Sequence, residues 1–108
     1  MKLRQIAHGR TGDKGNTCNI SVIAYDRDDY PRLRREVTAA RVRDFFDGIV
    51  LGEVVRYELP QLGALNFVMT RALAGGVTRS LALDAHGKSL SSALMNLEIS
   101  DDLDDPDH

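Results

Sequence analysis

The nine residues from His8 to Asn16 constrain this chain more than any other stretch. They read His-Gly-Arg-Thr-Gly-Asp-Lys-Gly-Asn and combine three glycines with charges of both signs. Apolar and β-branched residues flank the stretch and predict strands over Leu3–His8 and Thr17–Tyr25. Glycines and polar side chains stabilise a core poorly, but they allow backbone N–H groups to approach a ligand or a partner closely. The sequence therefore predicts a polar loop between two strands and places a candidate site in that loop.

The loop from Gly9 to Asn16 has a functional and a structural interpretation. In the functional interpretation, its glycines form an anion-binding nest, and Arg10 and Lys14 supply positive charge. In the structural interpretation, it is a long hairpin loop in which Asp13 pairs with Arg10 or Lys14. The stretch lacks the Gly-Lys-Ser/Thr order of a P-loop, and no clear helix follows it as a dinucleotide fingerprint requires. Both interpretations stay open at this point.

The rest of the chain alternates between helical and extended periodicity. Helices are predicted over Tyr30–Val37, Ala39–Phe46, Gly63–Ala74 and Ser89–Leu97, and further strands over Glu53–Leu59 and Val77–Asp84. Thr38 is a predicted N-cap of the second helix. This order predicts an α+β fold in which about four strands form a sheet with helices packed on one face. A single domain is expected over residues 1–99, followed by an acidic, disordered tail over residues 100–108.

The alternation in the strand over Glu53–Leu59 predicts which face of the sheet each side chain joins. Val55, Tyr57 and Leu59 are expected on the buried face. Arg56, Glu58, Thr78 and Ser80 are expected on the other face, exposed to water or to another subunit.

Composition excludes several classes of protein. The net charge of −2 argues against a protein built mainly to coat nucleic acid. Cys18 is the one cysteine, so no internal disulfide forms, which suits a reducing cytoplasm. No apolar run approaches the roughly 20 residues that span a bilayer, and no signal-peptide core is apparent. No second histidine or cysteine stands at metal-ligand spacing from His8, so neither a metal nor another cofactor is expected. We expect a cytoplasmic protein.

Three asparagines and an arginine add to the candidate site. Asn16 and Asn19 flank Cys18 at the start of the second strand, where asparagine is unfavourable. Asn66 interrupts an apolar helix, and a buried amide must find hydrogen-bond partners in the loop, in a ligand or in a neighbouring backbone. Arg79 lies on a predicted strand and joins the site if that strand neighbours the first two.

Four blocks of residues resemble the AtuA-like domain family, named for acyclic terpene utilisation. Arg10–Asn16, together with Asn19 and Ile20, resembles the family's RSGDKGN…NI signature, with Thr11 where the family often has serine. The other three blocks are Gly52–Pro60, Leu65–Val68 and Gly75–Leu81. The resemblance extends over nearly the whole chain.

The resemblance implies a ferredoxin-like fold and a setting in acyl-CoA, branched-chain or terpenoid catabolism. In this family, short stand-alone members tend to accompany a separate large subunit. The leading hypothesis is a small accessory subunit or binding module. With a larger AtuA-type partner, or with further copies of itself, it would form a composite site for an anionic metabolite such as an acyl-CoA. Neither nucleic acid nor membrane is an expected partner.

Two alternatives are kept. One is a self-sufficient homo-oligomeric enzyme of acyl-CoA or terpenoid catabolism, with Asp13 or His8 as general base. The other is a purely structural protein–protein interaction domain. The resemblance transfers no catalytic residue. The expected ligand-binding residues are Arg10, Thr11, Gly12, Asp13, Lys14, Gly15, Asn16, Asn19, Asn66 and Arg79. Among them the cationic side chains would bind the anion, the glycine backbone would allow close approach, and the asparagines would orient the ligand.

Overall fold

Four strands of the described residues form one antiparallel sheet. The computed structural model describes residues 1–14, 17–47, 52–70 and 89–100, with only the main chain of Asp13, Lys14 and Ser89. The strands are β1 (Ala7–Lys14), β2 (Thr17–Ala24), β3 (Val54–Leu59) and β4 (Ala64–Met69). Their order in the sheet is β1-β2-β4-β3. Because β2 and β3 both pair antiparallel with β4, they run parallel to each other.

Three helices within the described ranges pack on one face of the sheet. They are α1 (Tyr30–Glu36), α2 (Ala39–Phe45) and α3 (Ser89–Leu94). Short 3-10 turns occupy Leu3–Gln5, Arg27–Asp29 and Pro60–Leu62. Helix α1 packs on β4, α2 on β3, and α3 on β1 and β2. The predicted N-cap of α2 is confirmed, because the Thr38 hydroxyl accepts a hydrogen bond of 3.1 Å from the backbone N–H of Arg41.

The core lies between the central strands and the helices. Register places Cys18 opposite Met69, Ile20 opposite Phe67, and Val22 opposite Leu65, and all six are buried. The helices contribute Leu33, Val42, Leu90 and Leu94 to the same cluster. Successive side chains of a strand point to opposite faces, so the alternate residues form a second face. We define the second face by His8, Arg10, Gly12, Asn19, Ser21, Ile23, Val55, Tyr57, Leu59, Asn66 and Val68.

The glycine-rich stretch is a strand rather than a loop. β1 pairs with β2 without interruption from Ala7 opposite Ala24 to Lys14 opposite Thr17. The predicted strand at Leu3 begins instead with a 3-10 turn over Leu3–Gln5. Pairing with β2 satisfies the backbone groups of the stretch that point toward β2, and glycines within a strand are tolerated where another element approaches closely. Gly15 and Asn16 lie outside the described residues.

The helix predicted over Gly63–Ala74 was wrong in its described part. Ala64–Met69 is strand β4, with Leu65, Phe67 and Met69 facing the helices. The residues of β4 are buried or half-buried on both faces of the sheet, which gives a nearly continuous apolar run, and that run imitated a buried helix. Residues 71–74 lie outside the described residues. So do the strand predicted over 77–84, with Thr78 and Ser80, and the tail beyond residue 100.

The faces predicted for β3 were reversed. Val55, Tyr57 and Leu59 lie on the second face and are 39%, 54% and 37% exposed. Arg56 lies on the helix side, where its guanidinium donates to the carbonyl oxygens of Arg34 (2.7 Å) and Val37 (2.9 Å). These carbonyls end helix α1, where positive charge is favourable. With Arg56 on the helix side, the alternation of the strand places its apolar side chains on the second face.

The connectivity explains how this chain fits a ferredoxin-like fold. The described elements run β1-β2-α1-α2-β3-β4-α3. If β1 followed α3 instead of preceding β2, the order would be β-α-β-β-α-β, with α1 and α2 forming one helical connection. The segment after α3 lies beside the start of the chain, since Leu3 N–H donates to Leu97 O and Ile99 N–H donates to Met1 O. The predicted α+β fold is confirmed, in a permuted order of elements.

Glu36 ties the segment after α3 to the first two helices. Its carboxylate accepts hydrogen bonds from Arg35 Nε (3.1 Å), Arg41 Nη1 (3.2 Å) and the backbone N–H of Ser100 (3.1 Å). Arg41 also donates to Glu98 O at 2.6 Å. Burial raises the pKa of Glu36, but these hydrogen bonds and the charges of Arg35 and Arg41 outweigh it, so the net pKa lies below the ordinary range.

The Glu36→Gln variant is expected to lose stability at neutral pH and to show a flatter pH dependence of unfolding. Because the folded-state pKa of Glu36 is lowered, its stabilisation is present above the ordinary pKa of glutamate. The stabilisation is lost as the pH falls through the lowered pKa. Urea denaturation between about pH 3 and about pH 7 measures this. Glu53→Gln, at an exposed glutamate without an ion pair in the described ranges, is the control. Parallel pH profiles of wild type and Glu36→Gln would contradict the expectation.

Gly63→Ala is expected to destabilise the fold by about 1–2 kcal/mol, since an L side chain is strained in the left-handed region. Gly63 has φ 61° and ψ 38° and joins the Pro60–Leu62 turn to β4. A Cβ there would also lie 3.2 Å from Arg27 Cγ. Gly63→Asn should lose less, because asparagine tolerates this conformation. Equal losses in urea denaturation would show that contact with Arg27, not backbone strain, decides the cost.

Candidate functional site

A row of paired residues crosses all four strands on the second face. Arg10 lies opposite Ser21, Ser21 opposite Asn66, and Asn66 opposite Tyr57. Directly opposed side chains on one face of a sheet have Cβ atoms about 4.5–5.5 Å apart. The row therefore brings a guanidinium, a hydroxyl, a carboxamide and a phenol together, although the four residues are far apart in sequence.

Asn66 carries an unsatisfied acceptor near the middle of this row. Its Oδ1 atom is buried and has no hydrogen-bond partner among the described residues. A buried polar atom without a partner costs about 1–3 kcal/mol, and native structures contain few of them. The expectation that Asn66 needs a partner is thus unmet within the described part of the chain. Because the atom is buried, a donor reaches it only if the groups that cover it move.

Gly12 makes room for Asn19. The two residues are opposite each other in the β1–β2 register. A Cβ atom on Gly12 would lie 2.6 Å from Asn19 Oδ1, so the carboxamide occupies the space above the glycine. We refer to Arg10, Gly12, Asn19, Ser21 and Asn66 as the polar patch. Arg10 is exposed and makes no ion pair with a described side chain, so the patch presents positive charge to solvent.

Gly9 and Thr11 belong to the opposite face and hold helix α3 against β1. The Thr11 hydroxyl accepts a hydrogen bond of 2.9 Å from the backbone N–H of Ser91, in the first turn of α3. A Cβ on Gly9 would lie 2.9 Å from Met95 Cε and 3.1 Å from Ser91 Cβ. The glycine thus permits close packing, and the hydroxyl satisfies one of the free N–H groups with which a helix begins.

The structure brings four of the predicted site residues together and separates a fifth. Arg10, Gly12, Asn19 and Asn66 share the polar patch. Thr11 points to the helix layer. The main chains of Asp13 and Lys14 pair with Cys18 and Thr17. The side chains of Asp13 and Lys14, and all of Gly15, Asn16 and Arg79, lie outside the described residues.

Ser21, Tyr57 and Tyr25 were missed in the sequence. The first two join the row only through strand register, which no local pattern revealed. Tyr25 directly follows β2, and its ring stacks on that of His8 with centroids 5.1 Å apart and planes at 29°. Alternation along β1 and β2 was the signal that would have placed His8, Arg10 and Tyr25 on one face.

A second buried polar atom lies away from the patch. Tyr30 Oη, in the first residue of α1, has no hydrogen-bond partner within the described ranges. Burial raises the pKa of Tyr30, the carboxylate of Glu58 raises it further, and the guanidinium groups of Arg34 and Arg56 oppose the shift. This hydroxyl belongs to the helix layer and contributes nothing to the second face.

Neither a metal centre nor a membrane span is found in the described part of the chain. No three His, Cys, Asp or Glu side chains of those residues come together as ligands. No helix among them has the length and apolar character needed to cross a bilayer.

Thr11→Val is expected to lower the free energy of unfolding by about 0.5–2 kcal/mol, the usual cost of removing a helix cap. Valine has nearly the same shape but leaves the Ser91 N–H without its acceptor. Thr11→Ser keeps the hydroxyl and should retain most of the stability. Urea denaturation of both variants measures the difference. If serine and valine cost the same, the hydroxyl does not cap α3.

The comparison with known families agrees with this architecture. The family model for the AtuA ferredoxin-like domain matches residues 1–100. No curated protein and no solved structure is significantly similar to the chain. The matched range includes every strand and helix described above. The chain therefore belongs to the AtuA ferredoxin-like domain family.

Proposed function

We propose that this protein is a small accessory subunit or binding module whose polar patch forms part of a composite site for an anionic metabolite. The partner would be a larger AtuA-type protein, and an acyl-CoA is the natural candidate for the metabolite. We place the protein in the cytoplasm, whose reducing environment suits a chain with a single cysteine, Cys18.

The unsatisfied Asn66 Oδ1, on the same sheet face as the exposed Arg10 and two strands away from it, is the observation that carries this proposal. A guanidinium offers several donors in a planar fork that matches carboxylate or phosphate. Buried acceptors without partners are rare, and where they occur they need an explanation such as a functional role. A ligand that places an anionic group on Arg10 and, after a shift of the groups that cover Asn66, a donor on Oδ1 would use both features.

The shape of the second face supports a composite site. Small-molecule sites bury about 70–90% of a ligand's surface. Arg10 and Tyr57 are exposed on a sheet face, and Tyr57 keeps 54% of its accessible area. The described residues therefore supply a floor for a ligand rather than an enclosed pocket. A second surface, from the partner, would complete the enclosure.

A second candidate is a purely structural interaction domain. Val55, Tyr57 and Leu59 expose apolar area side by side on β3, and exposed apolar patches often mark contacts between proteins. In that case the polar patch would only fix the register of the partner. The two candidates differ in whether Arg10 affects the binding of a small molecule.

Arg10→Ala is expected to weaken binding of coenzyme A by about tenfold or more, the cost of losing a charge-assisted hydrogen bond. Isothermal titration calorimetry measures this on the chain alone and on the chain co-purified with a larger AtuA-type protein. The fold should stay intact because Arg10 is exposed. Lys14→Ala, on the same motif, is tested in parallel.

Arg43→Ala is the matched control, because Arg43 is also exposed but lies on helix α2, away from the patch. It should bind the probe as the wild type does. Unchanged affinity in the Arg10 and Lys14 variants would refute the anion site. Binding of a partner protein without any binding of the probe would favour the structural interaction domain.

A further inference from the structure

An exposed aromatic stack lies at one end of the second face. The His8 and Tyr25 rings are 5.1 Å apart and inclined by 29°. The main chain of Tyr25 is held by a hydrogen bond of 3.0 Å from its N–H to Ile6 O. Tyr25 is nevertheless 68% exposed. One side of its ring rests on His8, and the remainder is available to another flat ring.

The stack reduces the cost of binding such a ring. Contact with His8 and the main-chain hydrogen bond restrict the tyrosine before any ligand arrives, so less conformational freedom is lost on binding. Stacking of a nucleobase on an aromatic side chain contributes about tenfold or more to affinity and requires only an accessible ring face.

Arg10 lies next to this stack. It is two residues after His8 on the same strand and the same face, which places the two Cα atoms about 7 Å apart. Arg10 is exposed. An aromatic surface and a guanidinium at this separation match a ligand that joins a flat heterocycle to a phosphate through a sugar.

We propose that the His8–Tyr25 stack binds the purine ring of a nucleotide-type metabolite whose phosphate group is bound by Arg10. This inference rests on the proposed function, and it specifies the class of anionic ligand. The ring would lie on the exposed side of Tyr25, and the phosphates would extend along β1 toward the polar patch. The remainder of the ligand would then cross the second face toward Asn66.

Charge favours a single nucleotide over a nucleic-acid strand. Proteins that bind nucleic acid carry a basic surface that follows the phosphates. This chain has a net charge of −2, and Arg10 is the one arginine or lysine among the described side chains of the second face. The four residues after Tyr25 are three aspartates and Arg27, and their net negative charge would repel an extended polyanion.

The test compares three probes by isothermal titration calorimetry on the full chain: ADP, pyrophosphate and adenosine. ADP should bind most tightly, because it alone offers both a purine and phosphates. Tyr25→Ala should weaken the binding of ADP about tenfold and leave the binding of pyrophosphate unchanged. Arg10→Ala should weaken the binding of both. Tyr25→Phe should keep the affinity for ADP, since it keeps the ring.

Phe45→Ala controls for the loss of an exposed aromatic ring, because Phe45 is 37% exposed on α2 in the helix layer. The Phe45→Ala variant should bind ADP with the affinity of the wild type. Circular dichroism confirms the fold of each variant, and Tyr25→Leu replaces Tyr25→Ala if the latter fails to fold.

Two results would overturn the role of the His8–Tyr25 stack without affecting the proposed function. They are equal affinities for ADP and pyrophosphate, or no effect of Tyr25→Ala while Arg10→Ala weakens both probes. In either case the anion site of the proposed function would stand. Absence of binding of every phosphate probe, alone and with the larger partner, would refute both. Tighter binding of an adenine oligonucleotide than of ADP would replace the proposal with a nucleic-acid surface.

Discussion

The pairing of β1 with β2 determines the rest of the structure. The eight residues of β1, Ala7–Lys14, include seven of the glycine-rich stretch and pair in unbroken register with β2. This ladder satisfies backbone groups that a loop would leave to water, and it extends the sheet by one strand. It also imposes an alternation of two residues on the motif, so that neighbouring motif positions serve opposite faces of the sheet. A single motif thereby contributes to both the packing of the fold and the candidate site.

The two sets of motif residues are under different physical demands. Gly9 and Thr11 face the helices, where a close contact and a hydrogen bond position α3. Arg10 and Gly12 face away from them, where a charge stays exposed and a missing side chain makes room for Asn19. Substitutions at the positions that face the helices should therefore lower stability, whereas substitutions at the positions that face away should lower binding. That separation would not occur if the stretch were a mobile loop.

Signals within a few residues of the sequence correctly predicted the elements that depend on those same residues. The N-cap at Thr38, the helix that begins at Tyr30 and strand β2 all follow from capping residues and β-branched composition. Strand β4 was mistaken for a helix because its residues are buried or half-buried on both faces of the sheet, which gives an apolar run. The predicted faces of β3 were reversed because Arg56 caps α1. This contact joins two elements, so the periodicity of the strand does not reveal it. For the site, residue chemistry indicated Arg10, Gly12, Asn19 and Asn66, whereas Ser21 and Tyr57 required the strand register.

The geometry of the polar patch limits what can occupy it. Arg10 and Asn66 lie on strands separated by β2, so about 9–10 Å of sheet divides them at the usual spacing of neighbouring strands. A single phosphate or carboxylate on Arg10 cannot reach the Asn66 acceptor. Either the ligand is long enough to place an anionic group on one and a donor on the other, or a side chain of a partner supplies the donor. Both solutions require something larger than a simple anion, and both leave the second face covered when the site is filled.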